Sequence, residues 1–591
     1  MNNPNTLKFN IHPTNIGAII MICRRNFQVI LLFAFTTQLC ISNLYAAYRA
    51  PVWSENGMAA TPHIAATAAA VEVLEAGGNA VDAVVAASFA LAVVEQYHSG
   101  LGGGEFTLLR MVKDAKVRVL DARESTPLKS SADMFMNPET DEPYKEKYWL
   151  GGLAVGVPGS VAGKVELIAK YGNLPLKEVI APAYKLAKNG FKLDRVYASS
   201  IKRNSDEFAE DTDLAKVFMS KGLPLKRGQV LRQPILANTL QKIGKDKGKS
   251  FYHGEMAKNI SDACIAHGGI IEQKDMANYK LRWMEPISFN YHGYDIHSMP
   301  PPSSGGVCLA MILNILDEFP LEYLGQGSTE TYHLIASAFE LAFADRSHWL
   351  GDPDYADLPV KELISQDYAD KLRKKIDRFS RIPVDGPGNP RLKKPASNTS
   401  HISVIDKDGN MCAMTTSVNS SFGSKVFVPE LGIFLNNTMV DFSIAPDQPD
   451  YFGLIGGNVN RIQPGKRPLS SMSPTLVTYQ GKPLIALGSV GGPRIITSVC
   501  QILINMIDYS NNIQAAVDAP RIHMQWKPDL LYIESEVAPE IVERLNSMGW
   551  IMRQQPLWSL SQAVYKDSLN HYFHGASDAR GVGSAGPAGD R

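Results

Sequence analysis

The sequence predicts a mixed α+β protein. Before residue 350 the clearest segments carry helix punctuation, whereas after residue 398 they alternate and break at turn residues as strands do. Nothing repeats and no low-complexity linker divides the chain. Its 591 residues, 45% hydrophobic and 20% charged, read as globular protein with an extensive buried core. Length alone would allow roughly three or four domains. The 59 basic and 59 acidic residues cancel, which leaves no electrostatic surplus to hold phosphates. Nucleic acid and anionic membrane are therefore disfavoured as main partners.

Taken in order, the first element is an export signal. From Met21 the chain reads "MICRRNFQVILLFAFTTQLCISNLYAAYRAPV", with Arg24 and Arg25 as a basic start, an apolar core from Phe27 to Ile41, and small residues in "LYAA" for cleavage. Residues 1–46 thus read as a signal peptide, with Met21 as an alternative start, and the mature chain begins near Ala47. It is expected in the periplasm or outside the cell, with no stable membrane span. A retained anchor is the competing reading, and the apolar run is short for one. Cys23 and Cys40 leave with the signal. Cys264, Cys308, Cys412 and Cys500 remain, widely spaced, with no Cys-x-x-Cys and no histidine cluster at ligand spacing. Neither a disulfide framework nor a zinc site is supported, so buried thiols are expected.

"TPHIAATAAAVEVLEAGG" comes next as a helix, with Thr61 as cap, Pro62 in the first turn and Gly77-Gly78 ending it. "NAVDAVVAASFALAVVEQYHS" follows, capped by Asn79 with Asp82 in its first turn; being apolar all round, it should be buried. "SGLGGGEF" (99–106) resembles a phosphate loop but runs into the strand-like "FTLLR" rather than a helix, so it reads as structural. Residues 331–350 form another long helix. From about Asp367 to Ser397 a charged helix dissolves into Pro, Gly and Lys, the composition of an exposed, mobile segment.

That segment leads directly into "NTSHISVIDKDGNMCAMTTSVNSSFG" (398–423), a hairpin turning at Asp408-Gly409. A two-residue loop would pair Ile402 with Thr415, and a three-residue Lys-Asp-Gly loop would pair Asp406 with Asn410. The second groups Ile402, Val404, Cys412 and Met414 on one face and is preferred. It sets Thr399 opposite Ser417, with Asn419 beyond on the same face. Thr399 can open a strand through β-propensity alone. The sharper reading is a hidden N-terminus: once the chain is cut between Asn398 and Thr399, the α-amine of Thr399 can act as base for its own hydroxyl. Downstream, Gly491-Gly492 offers two adjacent N–H groups suited to an oxyanion, although a Gly-Gly pair alone reads equally as a tight turn.

Together, "NTSHISVIDKDGN", "NNTMVDFS", "GKRPLSSMSPT", "SVGGPRIIT", "DARESTP" and "ADRSHWLGDPDY" resemble the γ-glutamyltransferases, members of the N-terminal-nucleophile hydrolases, from about residue 50 to near the C-terminus. The resemblance implies a four-layer αββα sandwich built by two interlocked subunits of one precursor, residues 47–398 and 399–591. It implies Thr399 as nucleophile, Ser417 hydrogen-bonded to it, and Gly491 and Gly492 as the oxyanion site. Arg123, Ser470 and Ser471 would take the donor's α-carboxylate, and Asn419, Asp441 and the residue at Thr438 its α-amine. The implied substrates are glutathione and other γ-glutamyl amides, with water, amino acids or peptides as acceptors, and no cofactor. Three positions depart from the family: Ser417 replaces a threonine, Thr438 a glutamine or glutamate, and the tip of a lid-like segment (443–457) has Phe452 beside Tyr451. Related acylases, acting on glutaryl amides or poly-γ-glutamate, and an unprocessed periplasmic binding protein are the competing readings.

Overall fold

The computed structural model describes residues 49–589 except 141, 145–147, 387–398, 446–449, 451–452, 558 and 568. The signal segment, the last part of the Pro- and Lys-rich approach, Asn398, Tyr451 and Phe452 lie outside the described residues. Ala50–Arg591 form one compact unit.

Two seven-stranded sheets carry the fold, each antiparallel throughout. In the first, the edge-to-edge order is Ser584–Pro587, Gly57–Thr61, Ser400–Asp406, Met411–Ser417, Gly104–Arg110, Val117–Ala122 and Arg282–Met284. In the second it is Val52–Ser54, Phe573–Ser577, Ser561–Lys566, Lys482–Ser489, Thr475–Tyr479, Tyr294–Ser298 and Ile287–Tyr291. Strands from before and after residue 398 interleave in both sheets. The Asn398 side and the Thr399 side of the chain are therefore woven together by main-chain hydrogen bonds.

The hairpin adopts the three-residue loop. Ile402 pairs with Met414 and Ser400 with Thr416, and the Asp406 N–H donates to the Asn410 carbonyl at 3.1 Å. Gly409 has φ +89°, the left-handed position that this loop demands of a glycine. Asp406 tightens the turn by accepting from the N–H groups of Asp408 and Asn410. Ile402, Val404, Cys412 and Met414 share one core with the helices Ile64–Glu75 and Ala80–Val94. Ile405, Met411 and Ala413, on the opposite face, join a second core with Leu476, Val477 and Ala486 of the other sheet and the helices Gly305–Leu316, Thr329–Trp349 and Arg494–Ile507.

Ala80–Val94 forms as its sequence predicts. Asn79 and Asp82 make a reciprocal capping box, and every residue of the helix is buried. The preceding helix starts later than expected. Thr61 belongs to a strand paired with Ser584, and the cap is His63, whose ring accepts the Ala65 N–H at 3.0 Å. Its end is as expected, with Gly77 at φ +91°. Cys264, Cys308, Cys412 and Cys500 are buried free thiols. Among the described residues no helix is long and apolar enough to cross a membrane.

Glu95, which ends the Ala80–Val94 helix, accepts the Ser400 hydroxyl at 2.7 Å. Burial pushes its carboxyl from 4.5 up to about 7, against the field of His63 and the Ser400 hydrogen bond. A raised carboxyl favours the fold most below its unfolded value, and that contribution is lost as pH rises through 7. Glu95→Gln keeps an acceptor for Ser400 without the charge. Its melting temperature should gain on wild type between pH 5 and pH 8, by a free-energy difference of roughly 3 kcal/mol at most. Parallel melting curves across that range would show that Glu95 does not titrate there.

Candidate active site

Thr399 lies at the mouth of the hairpin, 4% exposed, with its Oγ1 3.4 Å from Ser417 Oγ. The register explains the contact, because residues 399 and 417 fall opposite each other one step beyond the Ser400–Thr416 pair. Ser417 Oγ also accepts the Asn419 N–H at 2.8 Å. Asn419 takes φ +79°, a left-handed conformation that asparagine tolerates, and this aims its amide at Asp441.

The glycine run beside them is structural, as the sequence suggested. A Cβ on Gly103 would stand 2.0 Å from the Ser417 carbonyl oxygen, and one on Gly102 2.2 Å from that of Phe434. The neighbouring strands could not approach Ser417 with any side chain there.

Across the cleft Arg123 follows the strand Val117–Ala122 and is 2% exposed. Its guanidinium pairs with Asp441 and lies 3.4 Å from Glu124. Its N–H donates to Asp121 at 2.9 Å, and its carbonyl accepts the Tyr279 hydroxyl at 2.8 Å. Burial pushes Glu124 up to about 7 although Arg123 opposes it. The Asp441 carboxyl is likewise raised by burial, with Arg123 and the Asn419 amide pulling it down. Asp441 Oδ1 accepts from Asn419 Nδ2 at 2.9 Å. One carboxylate therefore ties the guanidinium to the amide.

Ser470 and Ser471 enter on the loop before strand Thr475–Tyr479. The Ser470 carbonyl is pinned by both the N–H and the hydroxyl of Ser304, each at 2.8 Å. Opposite them the second sheet ends at Ser489, and the chain turns through Gly491 (φ +125°) and Gly492 (φ +60°) into the helix Arg494–Ile507. Only glycine takes both conformations without strain. Among the described residues neither glycine N–H donates to a backbone acceptor, and the helix N-terminus adds a positive field at this point.

Thr399, Ser417, Arg123, Asn419, Asp441, Ser470, Ser471 and Gly492 line one cleft; Gly491 precedes Gly492 in the chain and is not part of that lining. Thr438 is not brought to it. Its hydroxyl donates to Asn436 Oδ1 at 2.7 Å, and Gly156 backs it closely. Seven further residues line the cleft without a role from the sequence, Arg346, Asp450 and Met472 among them. Arg346 lies inside the motif "ADRSHWLGDPDY", and its signal was a lone arginine in a helix otherwise rich in Ala, Leu and Phe. Met472 lies in "GKRPLSSMSPT" and Asp450 in the lid-like segment 443–457, and membership of those segments was the signal for each.

In sequence and in fold the chain is similar to known proteins. The family model described as Gamma-glutamyltranspeptidase matches residues 66–588. The chain is 40% identical to the Glutathione hydrolase proenzyme of Escherichia coli (strain K12) over 534 residues, 90% of this chain and 92% of that one. Its fold is similar to that of a cephalosporin acylase from Bacillus halodurans, with a TM-score of 0.83 at 29% identity over 93% of this chain and 98% of that one. It is also similar to a gamma-glutamyltranspeptidase from Helicobacter pylori, with a TM-score of 0.53 at 38% identity over 54% of this chain and 92% of that one. On a match that spans most of its length, the chain belongs to the gamma-glutamyltranspeptidase family.

Proposed function

We propose that the chain is the precursor of a self-processing γ-glutamyltransferase with Thr399 as its nucleophile. In processing, Thr399 Oγ1 attacks the Asn398 carbonyl carbon, and the peptide C–N bond breaks as the acyl group moves to oxygen. Water then opens the ester, leaving a carboxylate on Asn398 and a free α-amine on Thr399. That amine, with an ordinary pKa near ~8, takes the hydroxyl proton in each later turnover. Oγ1 attacks the γ-amide carbonyl of a donor such as glutathione, and the N–H groups of Gly491 and Gly492 hold the oxyanion. The leaving amine departs with the proton, here Cys-Gly. Water or the amino group of an amino acid or peptide then opens the γ-glutamyl ester. Arg123, Ser470 and Ser471 take the α-carboxylate, while Asp441 and Asn419 take the α-ammonium. The reading needs no cofactor.

In this reading residues 1–46 export the protein to the periplasm or beyond. Residues 47–398 and 399–591 remain interlocked in a four-layer αββα sandwich of the N-terminal-nucleophile hydrolase type. The observation that carries it is the cleft itself, which Thr399 lines together with Arg123, Asp441 and Asn419. It also favours a free amino-acid head over a glutaryl group, which has no amine for Asp441. Intact-mass spectrometry of purified protein should find two pieces, the smaller beginning at Thr399, and γ-glutamyl-p-nitroanilide should be cleaved in preference to its glutaryl counterpart. A single uncut chain that binds without turnover would instead support a binding protein, and a glutaryl preference would support an acylase.

A further inference from the structure

Two guanidiniums border the cleft, and their charges are met differently. Arg123 is ion-paired with Asp441. Arg346, near the end of the helix Thr329–Trp349, is 4% exposed, yet among the described residues no carboxylate comes within ion-pairing distance of it. Its hydrogen bonds go to neutral hydroxyls, Ser304 Oγ at 2.8 Å and Ser471 Oγ at 3.4 Å. Asp441 and Asp450 act on it only through their fields, and burial still lowers its proton affinity. A guanidinium does not escape burial by losing its proton. A buried cation is costly unless an anion meets it, and this one lines the cleft. A carboxylate arriving in the cleft supplies that anion.

The direction of the hydrogen bonds leads to the same place. Arginine only donates, so Ser471 Oγ accepts from Arg346 and its own O–H is left to donate into the cleft that Ser471 lines. Through Ser304, Arg346 also steadies the Ser470 carbonyl, since the Ser304 hydroxyl that accepts from Arg346 Nε donates to it. One side chain thus orients both serines of the loop.

We propose that Arg346 is a specificity-determining residue of the donor subsite. It is the second guanidinium facing the donor's α-carboxylate, and it fixes Ser471 as a hydrogen-bond donor to the same group. The inference rests on the γ-glutamyl reading above and adds to it a residue that Arg123 cannot replace, because Arg123 shares its charge with Asp441.

The test compares γ-glutamyl-p-nitroanilide with 4-aminobutyryl-p-nitroanilide, which differs only in lacking the α-carboxylate, on processed wild type, Arg346→Gln and Arg346→Lys. Arg346→Gln should raise KM for the γ-glutamyl donor by roughly 10- to 100-fold, with kcat changed far less. Its kcat/KM for the 4-aminobutyryl donor should stay within about threefold of wild type, because that donor offers no anion. Arg346→Lys should recover part of the loss, having the charge without the second donor nitrogen. Equal losses on both donors would mean that Arg346 only supports the loop or the segment carrying Asp450, and the proposal would be wrong. If Arg346→Gln fails to process, Arg346→Lys decides by the same criterion. Arg123→Ala in the same assay separates the two levels: if it discriminates the donors and the Arg346 variants do not, only this proposal fails. If wild type itself shows no preference for the carboxylate-bearing donor, the γ-glutamyl reading fails with it.

Discussion

Thr399→Ala should leave the protein as a single full-length chain with no measurable transferase or hydrolase activity. The hydroxyl is required twice in the proposed chemistry, first against the Asn398 carbonyl and then against each donor. Loss of a nucleophile that acts in concert with its base typically costs about 10⁴-fold or more in rate. Here the base itself is created by the first attack, so the variant lacks both groups. The fold should survive, since Thr399 precedes its strand and contributes one long contact with Ser417. Denaturing electrophoresis and an anilide assay on the purified variant make the comparison, with Thr399→Ser expected to process slowly and regain part of the activity. Two fragments from Thr399→Ala would place the cut, and the nucleophile, elsewhere.

Asp441→Asn should be the second most damaging change, lowering kcat/KM for a γ-glutamyl donor by roughly 10²- to 10³-fold, the usual consequence of leaving one charge of a buried pair unmatched. The structure widens what this residue does. Its carboxylate was assigned to the donor's amine from sequence, yet it also pairs with Arg123 and orders Asn419. A glutaryl donor, which has the carboxylate but no amine, should therefore lose efficiency too, through a misplaced Arg123. The γ-glutamyl donor should lose more, because it forfeits both contacts. Equal losses would mean that Asp441 acts only through Arg123. Burial raises the Asp441 carboxyl, so wild-type kcat/KM should begin to fall at a higher pH on acidification than for an ordinary carboxylate. That limb should vanish in the variant.

The hairpin was legible in the sequence because its determinants are local: a glycine at the one left-handed position and an alternation that only one register reconciles. The buried Ala-rich helix was legible for the same reason, since Asn79 and Asp82 carry their own capping box. Thr61 misled because a strand from the far C-terminus claims it, a pairing across more than five hundred residues that no local pattern records. Most candidate site residues were named through motifs, with the hairpin register adding the opposition of Thr399 and Ser417, and a motif marks a position without showing where it points. Thr438 could be recognised as a departure, but only the fold shows its hydroxyl committed to Asn436. Arg346 lies inside the motif "ADRSHWLGDPDY", but helical spacing does not say which face meets a cleft assembled from six separate segments.

The interleaving of strands from either side of residue 398 changes meaning under the proposed cut after Asn398. In that case every pairing in the two sheets would be retained, but the molecularity of folding would not. In the precursor, residues 57–60 meet residues 403–406 at the high effective concentration that a shared backbone provides. In the cut enzyme the same encounter is between separate chains, at whatever dilution the compartment imposes. A protein cut there would be held by the height of its unfolding barrier rather than by an ability to find its fold again. Maturation by that cut would be a one-way passage, leaving a structure that its two chains would be slow to rebuild.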